Sequence, residues 1–142
     1  MQPSERLTIP TTVNVVAIQN YGSSGSLLLQ SFLDGHPNLL SLPAFYIRSY
    51  YYFWNEHGTK SEQEVVAALL EEYAAWFRPE GADMANGLHQ LGESMQEAAC
   101  IDRDRFLAAL KEALSLQAFN RKTLLLSIYL AYVSVLRRNI PA

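Results

Sequence analysis

The sequence predicts an α/β chain, with a short parallel βαβ unit over residues 11–43 followed by a mostly helical region over 44–142. Three observations predict it. Thr12 to Ile18 is an uncharged run rich in Val and Ile, the composition of a strand covered on both faces. A loop of small residues, Gly22-Ser23-Ser24-Gly25-Ser26, separates that run from the Leu-rich segment Leu27-Leu28-Leu29-Gln30-Ser31-Phe32-Leu33. Beyond residue 60, helix-capping residues stand ahead of apolar positions at helical spacing.

Each element has a local reason. The first helix begins at Ser24 or Gly25 and stops near Asp34-Gly35, where Gly35 suits a left-handed cap and Pro37 prevents resumption. Asn38 to Leu42 reads as a second short strand ended by Pro43, and strand–loop–helix–strand order makes the two strands parallel. Ala44 to Trp54 is dense in aromatics and reads as a helix packing on the sheet or on another helix. Ser61-Glu62-Gln63-Glu64 is a capping box that opens a helix to about Phe77. Its apolar set is Val65, Val66, Leu69, Leu70, Tyr73, Trp76 and Phe77, and Arg78-Pro79-Glu80-Gly81 ends it. Residues 82–100 are ambiguous, because Gly87 and Gly92 weaken a helix. Asp102 caps a helix running to about Leu116, with Ile101 and Phe106 at staple positions, and Asn120 caps the last helix with Phe119 and Leu124 as its staple.

Composition bounds the function. At 142 residues, 49% apolar and 18% charged, the chain holds one globular domain with a real core. A net charge of −3 argues against general nucleic-acid binding, which needs a basic face. Cys100 is the single cysteine, which excludes an intrachain disulfide, and it reads as a small buried residue. Thr123 to Leu136 is almost wholly apolar, but it is shorter than the roughly 20 residues of a bilayer span and carries Ser127 and Ser134. It reads as a buried helix, so no membrane association is expected. Met1 to Arg6 lacks the layout of a signal peptide, and a cytoplasmic location is expected.

The loop carries the chemistry. A strand that feeds a Gly/Ser loop aims the N–H groups and positive dipole of the next helix at the loop's occupant, and small residues let an anion approach closely. Three readings stand here: a phosphate cradle, a ligand-free βα turn, and a flexible linker. A nucleotide triphosphatase loop is not supported, because no Lys follows the glycines. Among the histidines, His36 and His89 read as capping or local-packing residues. His57 beside Glu56 reads as a polar turn, with general-base duty the rival reading. No Cys, His and carboxylate cluster has metal-ligand spacing.

The stretch Tyr21-Gly22-Ser23-Ser24-Gly25-Ser26-Leu27-Leu28-Leu29-Gln30-Ser31-Phe32-Leu33-Asp34-Gly35-His36-Pro37 resembles the 5′-phosphosulfate-binding signature of sulfotransferases that use 3′-phosphoadenosine 5′-phosphosulfate (PAPS). The resemblance covers residues 13–43. It departs from the family at Ser23, where Arg or Lys is usual, and at Leu27, where Thr or Ser is usual. It implies the N-terminal portion of a P-loop-like sulfotransferase domain, incomplete within residues 1–142, with PAPS as cofactor and a cradle formed by Gly22, Ser23, Ser24, Gly25, Ser26 and Leu27. The implied reaction transfers a sulfonate group to a hydroxyl or amine of a small-molecule or glycan acceptor. The departures and the truncation together imply an inactive chain. Two strands alone would leave open sheet edges, so a homo-oligomer or a partner covering the edge is expected. The alternative reading is a non-enzymatic helical interaction module, with Phe45 to Trp54 as its partner surface, or a nucleotide-binding remnant.

Overall fold

The computed structural model describes residues 46–77 and 101–139, together with Asn14, Leu29, Phe32, Leu33 and Leu39. Four helices account for most of them: α1 (Tyr46–His57), α2 (Glu62–Glu72), α3 (Arg103–Leu114) and α4 (Arg121–Asn139). A 3₁₀ turn, Ala74–Phe77, continues α2. α1 packs against α2 and α3 packs along α4, two helical hairpins that share one core.

The α/β expectation is corrected by this architecture. The described residues are helical, with no strand and no sheet among them. Asn14 and Leu39, which the sequence places in the two strands, are not in strand conformation. Leu29, Phe32 and Leu33 are helical, as expected. The physical reason lies in context. Val and Ile favour strands only where a pleated, half-buried surface receives them, and a parallel pair needs a wider sheet around it. The remaining residues of the expected βαβ unit lie outside the described residues.

The helix starts follow from local chemistry. Ser61 caps α2: its hydroxyl accepts from the Glu64 amide at 3.4 Å, and its own amide donates to the Glu64 carboxylate at 3.0 Å. The Ser61 hydroxyl also donates to Glu64 Oε2 at 2.6 Å, and this bond, with that from the Ser61 amide, holds the Glu64 carboxyl below the usual carboxylate range. Asp102 accepts from the Arg105 amide at 2.8 Å to start α3. Asn120 accepts from the amides of Lys122 and Thr123, and Thr123 Oγ1 accepts in return from the Asn120 amide at 2.9 Å. Thr123 thus fills the place that Glu holds in a capping box. The staple residues Ile101, Phe106 and Leu124 are fully buried, and Phe119 packs against the core.

One helix ends earlier than its periodicity suggests. α2 stops at Glu72, and Tyr73 serves as its C-cap. In the 3₁₀ turn that follows, Trp76 is buried in the core and Phe77 packs alongside it. Trp76 stacks on Tyr73 at 5.3 Å and meets Phe106 of α3 and Tyr132 of α4 edge-on at 5.9 and 6.0 Å.

α4 confirms the reading of the uncharged Thr123 to Leu136 stretch as a buried helix. Leu124, Ile128, Ala131, Tyr132 and Val135 are buried in the core. Among the described residues no helix is long and apolar enough to cross a membrane.

Two stability predictions follow from this packing. Gly58 closes the α1–α2 turn with its amide on the Trp54 carbonyl at 2.8 Å, and a Cβ there would lie 2.5 Å from the indole. Gly58→Ala is therefore expected to cost about 1–3 kcal/mol through overpacking, measured by urea denaturation. Ser127 is fully buried in α4 with no hydrogen-bond partner for its hydroxyl. Ser127→Ala is expected to stabilise the fold by about 1 kcal/mol in the same measurement, since it removes an unpaired polar atom and favours helix.

Candidate functional site

The loop residues Gly22, Ser23, Ser24, Gly25, Ser26 and Leu27 lie outside the described residues, as do His36, His89 and Cys100. Immediately downstream, Leu29, Phe32 and Leu33 are helical and share one face at i, i+3 and i+4. Leu29 is 49% and Phe32 71% exposed.

His57, read from sequence as a turn residue or a base, sits at the end of α1 in a small polar cluster. Its Nδ1 lies 2.9 Å from Lys60 Nζ. An ammonium group only donates, so Nδ1 accepts and Nε2 carries the proton of the neutral ring. Nε2 faces Glu56 Oε1 at 3.7 Å and Glu72 Oε2 at 4.0 Å. The ring also packs on Phe53, with centroids 4.9 Å apart. The lone pair that a base would use is thus engaged by Lys60. The cluster joins α1 to α2, and the structure supports the turn reading over general-base duty. Burial raises the Glu72 carboxyl above its usual range, the His57 charge lowers it and Glu56 raises it again. Because the folded value lies above the unfolded one, ionised Glu72 costs stability at neutral pH, and the cost disappears as pH falls through the folded value. No group of three or more potential metal ligands is present among the described residues.

No family model matches the chain, and neither does any curated protein or solved structure. The site must therefore be argued from its own residues.

A second cluster was partly legible. The aromatic run divides by helical geometry into two faces. Tyr50 and Phe53 point into the core, while Tyr51 and Tyr52 are 50% and 67% exposed. The two exposed rings meet edge-on, centroids 5.6 Å apart and planes at 82°. Arg121, at the start of α4, lies with its guanidinium carbon 5.1 Å from the centroid of Tyr51. The inner ring fixes this arrangement: the Tyr50 hydroxyl donates to the Arg121 carbonyl at 2.6 Å. Burial pushes the Tyr50 phenol well above the ordinary tyrosine range, with Arg121 lowering and Tyr73 raising it, so it stays a donor at any physiological pH. Sequence periodicity separates the inner and outer tyrosines. It does not reveal Arg121, which is 71 residues away along the chain.

Tyr50→Phe tests that tie. It keeps the buried ring and removes the hydroxyl, so it is expected to destabilise by about 1 kcal/mol in chemical denaturation while leaving helix content by circular dichroism unchanged.

Proposed function

We propose that the chain binds PAPS through the Gly22–Leu27 loop and belongs to the chemistry of sulfonate transfer to a hydroxyl or amine acceptor. One observation supports this above the others: Leu29, Phe32 and Leu33 are helical directly after the loop. A small-residue loop running into a helix is the order an anion cradle requires, because the first turn of a helix has unpaired amides and a partial positive charge. The reading needs that terminus, with its free amides turned toward the loop.

In this proposal the amides of Ser24, Gly25 and Ser26 bind the 5′-phosphate, and the hydroxyls of Ser24 and Ser26 add hydrogen bonds. The acceptor oxygen or nitrogen forms a bond to sulfur as the bond between sulfur and the phosphate oxygen breaks. The acceptor proton leaves to a base, and adenosine 3′,5′-bisphosphate departs with the bonding electrons. Ser23 faces the sulfonate without the cation that usually stands there, and losing such a stabiliser typically costs about 2.7–4 kcal/mol of barrier. Slow or absent turnover with retained binding is the expected behaviour. The acceptor is a small molecule or glycan, and the setting is the cytoplasm.

Calorimetric titration with adenosine 3′,5′-bisphosphate tests the reading. Weak, saturable heat at millimolar ligand is expected, and Ser23→Arg should tighten binding about tenfold through a charge-assisted contact. Absence of heat overturns the proposal, and a Ser23→Arg variant of unchanged affinity overturns the alignment of the loop with the phosphosulfate.

A further inference from the structure

The outer face of α1 and the start of α4 form a surface that the fold does not use. Tyr51 and Tyr52 leave half or more of their area in water, an expensive placement for two adjacent aromatic rings. Arg121 and Lys122, both exposed, occupy the first turn of α4, which contains no acidic residue. Among the described residues the ion pairs join His57 to Glu56 and Glu72 and leave these two cations without a carboxylate. The surface is also held in shape. Tyr50 clamps the Arg121 backbone, the Arg121 guanidinium lies over Tyr51, and Tyr51 braces Tyr52. Tyr and Arg are the residue types that dominate binding energy at protein interfaces, and a rigid patch loses little entropy on binding.

We propose that Tyr51, Tyr52, Arg121 and Lys122 form a docking surface for an acidic peptide segment of a partner protein. The sign of the partner follows from the two unmatched cations. A short acidic peptide fits better than a nucleic acid, because the patch offers two cations and the chain's net charge of −3 disfavours a long polyanion that would extend beyond them. The proposal is independent of phosphosulfate binding.

Fluorescence anisotropy of a fluorescein-labelled hexaglutamate peptide with the full chain is the test. Saturable binding that weakens with added salt is expected, with none for labelled hexalysine. Tyr52→Ala and Arg121→Glu should each weaken it about tenfold or more. Both variants retain the fold, since Tyr52 is exposed and an acidic residue suits a helix start; circular dichroism melting verifies this. Arg103→Glu, an equal charge change at the start of α3, should leave affinity unchanged. The proposal is overturned if Arg103→Glu weakens binding as much as Arg121→Glu, or if Tyr52→Ala has no effect. It is equally overturned if oligouridylate or phosphatidylserine vesicles bind more tightly with the same dependence on Tyr52. Self-association that Tyr52→Ala abolishes would assign the surface to a second copy of the chain and overturn it too.

Discussion

Trp76 is the residue on which the described fold depends. Its indole is buried at the meeting point of Tyr73, Phe77, Phe106 and Tyr132, so it touches the end of α2, α3 and α4 together. Each hairpin buries a limited apolar area on its own, and short isolated helices are marginal in water. The aromatic cluster makes one core out of two hairpins. Burying a side chain of that size accounts for a large share of a stability that totals only a few kcal/mol net. Trp76 stands in the 3₁₀ turn Ala74–Phe77 that follows α2, so this contact ties the end of the first hairpin to the second.

A second joint, part polar and part aromatic, ties α1 to the start of α4. Tyr50 donates to the Arg121 carbonyl, and Trp54 packs against Phe119 at 5.8 Å just ahead of α4. These contacts bind α1 to the start of α4, while Trp76 binds the end of α2 to the α4 interior. With α1–α2 and α3–α4 each paired as hairpins, no described helix is held at a single point. That closure explains why the exposed Tyr51 and Tyr52 are rigidly displayed even though neither contributes to the core.

What could be read from the sequence was mostly local. Ser61, Asp102 and Asn120 were legible as caps because a cap is a property of four consecutive residues, and the staple positions follow by counting from them. The apolar set of α2 was legible because 3.6-residue spacing projects directly onto one face. The strand readings fail at Asn14 and Leu39, the residues of those segments that are described, because β-preference states what a segment would do inside a sheet, and sequence does not say whether a sheet is there. The break after Glu72 was illegible for a related reason. Nothing in Tyr73-Ala74-Ala75-Trp76 opposes a helix locally, so the change to a 3₁₀ turn leaves no mark in the spacing of the apolar residues. For the candidate sites, the Gly/Ser loop was visible as a motif, whereas the Arg121 partner of Tyr51 and the Glu72 partner of His57 come from chain folding and leave no mark in sequence spacing.

Charge placement separates the two candidate sites. No Lys or Arg lies between Arg6 and Arg48, so the loop at Gly22–Leu27 has only backbone amides and about half an elementary charge of helix dipole close in sequence. That suffices to position one phosphate and is too little to hold a cofactor of several negative charges tightly. Arg121 and Lys122 are committed elsewhere, since the Tyr50 hydrogen bond and the Tyr51 ring fix Arg121 on the outer face of α1. Cations so fixed serve whatever docks on that face. The two proposals are thus separable: the cradle at Gly22–Leu27 asks only for a small anion, and the face of Tyr51, Tyr52 and Arg121 for a larger acidic segment, so either can fail without the other.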